Sequence, residues 1–162
     1  MKFSVFLTLG AATVLLASCG SSDDGDGDGY AADDGGDATY SASLGGDDNN
    51  VDIRAGGNIE VDLPDGYSVY PGAKVVTSMT TNTVAGKGKT IIMESNDAAG
   101  KIVSFYREQA ESAGVEFAME MNSEDSSLLS GQTPEKQAFN LVVSGGDGKS
   151  TVQLSITQAA DE

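Results

Sequence analysis

Histidine and tryptophan are absent from this chain, cysteine occurs once, proline three times, and only 9 Lys and Arg stand among 162 residues. Each scarcity excludes something. Without His, the usual general base near neutral pH and the commonest zinc ligand are both missing, so Ser-His-Asp triads, Cys-His dyads and His-based metal sites cannot be assembled. A single Cys has no intramolecular disulfide partner. The 25 Asp and Glu leave a formal net charge of −16. A surface that negative repels phosphate backbones, whose binding draws most of its affinity from Lys and Arg, so nucleic acid is excluded as a partner. The length allows one ordinary domain, since domains cluster near ~100 to 150 residues.

The amino terminus is where the sequence speaks most plainly. One cation, Lys2, precedes an apolar run from Phe3 to Leu16 that is broken only by Ser4, Thr8, Gly10 and Thr13. That run is too short for the ~20 residues of a membrane span and reads as a signal-peptide core. Next come Leu16, Ala17, Ser18 and Cys19: a branched apolar residue, two small ones and the lone cysteine. This resembles the lipobox of bacterial lipoproteins. The resemblance implies cleavage after Ser18, a diacylglyceryl group on the Cys19 sulfur and acylation of the freed amine. Two or three acyl chains hold a protein to a bilayer stably where one does so marginally. Gly20 follows the cysteine where Asp would resemble an inner-membrane retention signal, so the resemblance places the protein on the outer membrane, facing the periplasm.

Residues 19–50 read as a tether between a signal peptide (1–18) and a domain (51–162). Positions 20–50 hold nine Asp, eight Gly and no cation, too little apolar surface to offset ordering entropy, so a disordered acidic linker is expected. Within it, Asp24, Asp26, Asp28 and Gly29 stand at positions 1, 3, 5 and 6 of an EF-hand calcium loop. The twelfth position, which needs a bidentate Glu, is Gly35, and neither flank is helical, so the run reads as solvated low-complexity sequence.

From residue 51 onward apolar residues alternate with polar ones. Strands are predicted over Ile59–Leu63, Tyr67–Tyr70, Ala73–Val84 and Lys89–Ser95, the last two joined as a hairpin by Gly86-Lys87-Gly88. One helix is predicted over 98–113, capped by Asp97 and ended by Gly114, with an Arg107–Glu111 pair on its wet side. Val115, Phe117, Met119 and Met121 mark the apolar face of a further strand. More strands follow near Ser127–Ser130, Gln137–Ser144 and Ser150–Gln158. The expected fold class is α+β, a mostly antiparallel sheet of about five to seven strands with one helix packed on one face, preceded by the disordered acidic linker. The order of Tyr70-Pro71-Gly72-Ala73-Lys74-Val75-Val76, the Phe105-Tyr106-Arg107 helix and the strands after it resembles small secreted lipoproteins of Gram-negative bacteria with no established role. That resemblance implies an architecture and no chemistry.

Few constellations carry chemistry. Gly148-Lys149-Ser150 and Gly88-Lys89-Thr90 echo a phosphate-binding loop but lack its first Gly and its following helix, so both read as hairpin turns. Met119, Met121 and, across the sheet, Met93 offer a thioether site for cuprous ion, set against ordinary core packing. Glu116 and Glu120 lie ~13 Å apart along a strand, too far for a joint acid-base role. Tyr67, Tyr70 and the wet face of the sheet form the candidate recognition surface, set against burial of both tyrosines. The reading is a membrane-anchored, non-catalytic binding or scaffolding domain without a cofactor, whose partner is an envelope protein or the cell wall. The alternative is a periplasmic carrier of a small ligand, calcium or copper.

Overall fold

The structure, a computed structural model, describes residues 29–32, 38–43, 49–146 and 148–160. In chain order these form β1 (Gly29–Ala32), β2 (Ala38–Ser43), β3 (Asn50–Ala55), β4 (Lys74–Thr83), β5 (Gly86–Ser95), α1 (Ala99–Ser112), β6 (Glu116–Asn122), β7 (Ser126–Gln132), β8 (Gln137–Gly146) and β9 (Lys149–Ala159). The strands make one sheet in the order β1-β2-β3-β4-β5-β9-β8-β7-β6, antiparallel at every pairing. The expected class, a helix packed on an antiparallel sheet, is therefore what the chain forms. The sheet has nine strands where five to seven were expected.

Alternation builds the core. Val152, Leu154 and Ile156 of β9, Phe139, Leu141 and Val143 of β8, and Ile91 and Met93 of β5 all point to one face and are buried. That face receives α1 through Ile102, Tyr106 and Ala110, four residues apart and each fully buried. The helix ends in a Schellman turn: Val115 N–H bonds Ala110 O (2.9 Å) and Gly114 N–H bonds Glu111 O (3.0 Å). Gly114 takes φ +82° there, a conformation that favours glycine. Its start departs from expectation. Ala98, not Asp97, is the N-cap, and no side chain caps the helix.

Four expected elements take other forms. Ile59–Leu63 and Tyr67–Tyr70 are not strands. Their alternation is genuine, with Ile59, Val61, Leu63 and Val69 packed against the core, but the segment lies across the face of the sheet, so one side of it is buried without ladder pairing. The β4–β5 hairpin turns at Val84 and Ala85, and Gly86-Lys87-Gly88 belongs to β5. The segment expected to be a disordered tether contributes β1 and β2. The run Ala38–Ser43 carries no acidic residue and pairs with the open edge of β3 along all six positions, which supplies the edge with hydrogen-bond partners it would otherwise lack. Residues 1–28, with the expected signal peptide, Cys19 and most of the calcium-like run, lie outside the described residues.

Candidate functional site

Register creates the site. Asp52 of β3 faces Thr80 of β4, which faces Lys89 of β5; in the next row Arg54 faces Ser78, which faces Ile91. Directly paired residues point to the same side of a sheet. Lys89 also faces Ile156 of β9, so this charged group occupies the same face as the apolar core, just beyond the reach of α1. A strap over residues 56–63 roofs it. The strap is tied down where a bulge interrupts β4 between Val75 and Thr77: Gly56 N–H bonds Val76 O (3.1 Å) and Ile59 N–H bonds Val75 O (3.0 Å).

Between strap and sheet lies a cavity of about 300 Å³ lined by Asp52, Arg54, Glu60, Val61, Asp62, Ser78, Thr80 and Lys89. Two neighbouring hollows share its walls. One of about 570 Å³ adds Asn58, Ile59, Val69, Ala73 and Val75; the other, about 400 Å³, adds Ala38, Thr39 and Ala55. Lys89 Nζ donates to Thr80 Oγ1 at 2.9 Å, and Ser41 donates to Asp52 Oδ1 at 2.6 Å. Burial and the nearby Arg54 guanidinium hold the Lys89 ammonium below its ordinary pKa, with Asp62 and Asp52 opposing them. Among the described residues the ion pairs are Lys101 with Asp97 and Arg107 with Glu120. The two cations and three carboxylates of the cavity make none.

From β4 to the carboxyl end the chain runs hairpin, helix, four-strand meander, and a family model described as START domain-like matches residues 75–162. The chain belongs to the START domain-like family. No curated protein and no solved structure matches it. The START domain-like stretch contributes Ser78, Thr80 and Lys89 to the cavity, while Asp52, Arg54, Glu60 and Asp62 precede it. The site thus sits at the seam between the family's fold and the strands and strap that this chain places before it.

The residues singled out from sequence fall elsewhere. Tyr67 and Tyr70 are buried and do not form an exposed recognition surface. Tyr67 stacks on Phe139 with ring centroids 5.8 Å apart, and its hydroxyl has no hydrogen-bond partner among the described residues. Tyr70 donates its hydroxyl to Asp97 Oδ2 at 3.2 Å, beside an open groove of about 640 Å³ along the outer side of α1 that Lys101, Phe105 and Glu108 also line. The Lys101 ammonium and the Tyr70 hydroxyl hold the Asp97 carboxyl below its usual range. Tyr106 donates to Met93 Sδ at 3.5 Å and accepts the Tyr70 N–H at 3.0 Å.

The methionines separate. Met93 is fully buried, while Met119 and Met121 are 53% and 61% exposed, so neither the thioether cluster nor the core packing expected for the latter two is formed. The cause is a bulge in β6 between Phe117 and Met119. It reverses the alternation, sending Phe117 and Glu120 to the helix side and both methionines to the open face. Arg107 accordingly pairs with Glu120 across the packing interface, instead of with Glu111, and its guanidinium carbon lies 5.3 Å from the centre of the Phe117 ring. Lys89 entered the sequence reading as the first residue of the strand Lys89–Ser95 and within the turn-like Gly88-Lys89-Thr90, never as a site residue. The available signal was its phase: Lys89 alternates with Ile91 and Met93, a cation at an apolar position of a strand.

Proposed function

We propose that this protein is a lipid-anchored, non-catalytic ligand-binding domain that holds a small polar molecule beneath the strap, between residues 58–62 and the β3–β5 face. The observation that carries the reading is the half-open cavity beside the strap, where Asp52 and Lys89 are half-buried, Arg54, Glu60 and Asp62 are exposed, and no two of these charges form an ion pair. Opposite charges that share a hollow without pairing are solvated there, and a ligand that replaces that water gains charge-assisted hydrogen bonds. Membership of the START domain-like family supports a binding role. The Leu16–Cys19 motif supports attachment to the outer membrane, with the domain facing the periplasm, where the source of the small molecule would lie.

Two measurements test this. Ligand-observed NMR of the detergent-solubilised full chain against a panel of small polar metabolites should give saturable binders that are lost when Val61→Trp fills the cavity; a panel without one such binder sinks the binding role. Labelling with a clickable fatty acid should mark the chain and fail to mark Cys19→Ser; equal labelling of both sinks the anchor.

A second reading has its own observation. On the open face, Ile92, Val142, Leu128 and Met121 form a row across β5, β8, β7 and β6, interrupted between Ile92 and Val142 by Gln153 of β9. Such a partly apolar row suits an envelope protein partner. Cross-linking in intact cells should then recover one reproducible neighbour that Val142→Lys abolishes.

A further inference from the structure

Resting on the cavity reading above, we infer that the bound molecule is zwitterionic, carrying an anionic group for Lys89 and Arg54 and an ammonium group for Asp52, Glu60 and Asp62. The argument is one of charge balance. The cavity wall holds two cations and three carboxylates within about 300 Å³. An anion entering alone would meet the cations and also be repelled by the carboxylates; a cation alone would meet the reverse. A molecule bearing both signs satisfies both sets at once and brings almost no net charge into the hollow.

Three structural features keep the wall charges available. The Lys89 ammonium is held on the Thr80 hydroxyl at 2.9 Å, which fixes its direction without neutralising it. Arg54 sits one row away on the same face, near enough for its charge to act on Lys89. Glu60 and Asp62 alternate with Ile59 and Val61 on the strap, whose backbone is bonded to β4 at Val75 and Val76. The adjoining hollow is walled by Ile59, Val69, Ala73 and Val75, which would receive a short aliphatic group. The interface between α1 and the sheet is filled by Tyr106, Ile102, Met93 and Leu154, all essentially without exposure, so the volume available suits a compact solute. A free amphoteric solute such as a short peptide and the headgroup of a zwitterionic lipid share this chemistry.

Calorimetry on the detergent-solubilised full chain distinguishes them. The probes are L-alanyl-L-alanine, glycerophosphoethanolamine, the neutral N-acetyl-alanine methylamide, acetate and ethylamine. At least one zwitterion should bind roughly tenfold or more tightly than the neutral and singly charged probes, as expected for charge-assisted contacts. The dipeptide ahead identifies a peptide-like solute, the phosphoester ahead a headgroup. Lys89→Met should weaken that binding by about tenfold or more, Lys89→Arg should retain most of it, and Lys87→Met, exposed on the same strand, should leave it unchanged. Thermal melting of each variant separates lost binding from lost folding. If acetate or ethylamine binds as well as the zwitterions, the inference fails while the cavity remains a ligand site. If the metabolite panel also gives no binder that Val61→Trp removes, the inference and the proposed function fail together.

Discussion

Two buried phenols differ in a way that stability measurements can read. The Tyr67 hydroxyl is buried with no partner among the described residues, and burial raises its pKa. A buried polar group with nothing to bond carries a desolvation penalty of ~1–3 kcal/mol. Tyr67→Phe keeps the stacking on Phe139 and removes that penalty, so chemical denaturation should show it neutral to about 2 kcal/mol more stable. Tyr106→Phe should do the opposite. Its hydroxyl accepts the buried Tyr70 N–H at 3.0 Å, and losing it strands that donor, for a loss of about 1–3 kcal/mol. Burial also pushes the Tyr106 phenol far above its ordinary value, as expected of a hydroxyl working inside the core. Asp97 provides the acid-side test. Its folded pKa is depressed by Lys101 and Tyr70, so its contribution is fully present above the ordinary carboxylate value near ~4 and disappears as pH falls through the depressed one. The difference in urea midpoint between the native chain and Asp97→Asn should be visible at pH 7 and close as acid is added below about pH 4. A difference independent of pH would show that Asp97 acts through shape alone.

Single elements show what the sequence pattern can and cannot disclose. The helix was legible because Ile102, Tyr106 and Ala110 repeat every four residues, and β8 and β9 because Phe139, Leu141 and Val143, then Val152, Leu154 and Ile156, stand at every second position. The β6 strand was legible in place and misread in orientation. Alternation carries no mark of a bulge, and one extra residue at Ala118 exchanges the two faces from Met119 onward. Gly131, opposite the bulge, records the crowding: a Cβ there would stand 2.3 Å from Glu116 O and 2.8 Å from Val115 Cγ1. Gly131→Ala must displace backbone, so it should lower stability by about 1–3 kcal/mol, as overpacked sites do. Helix α1 offers the converse. Its N-cap is an alanine without a capping bond, and a Cβ on Gly100 would meet nothing within 4 Å. Ala98→Ser should add roughly 1 kcal/mol and Gly100→Ala about 0.5–1 kcal/mol. An unchanged denaturation midpoint for both would mean that the first turn contributes nothing to the folded state.

For the whole molecule, the decisive feature is that the fold's core extends past the stretch matched by its family. The cavity escaped sequence reading for the same reason. Asp52, Arg54, Ser78, Thr80 and Lys89 meet only through the register of three strands and the crossing of a strap, and no local spacing encodes either. The match begins at Val75, yet Tyr67 and Tyr70 are buried in the common core, and Ile59, Val61, Leu63 and Val69 pack against it. Removing them would strip the stacked ring from Phe139 and the N–H bonded to Tyr106. Fully burying one large apolar side chain contributes ~1.5–3 kcal/mol. Six such residues, several only partly buried, sum to the order of the ~5–15 kcal/mol that keeps an ordinary domain folded. A chain starting at Val75 should therefore lose its cooperative thermal transition, while one starting at Asn49, which keeps β3, the strap and both tyrosines, should melt within a few degrees of the full chain. A sharp transition at an unchanged Tm in the shorter version would show that the strap merely rests on a self-sufficient fold, and the cavity would then be a surface accident, not a built site.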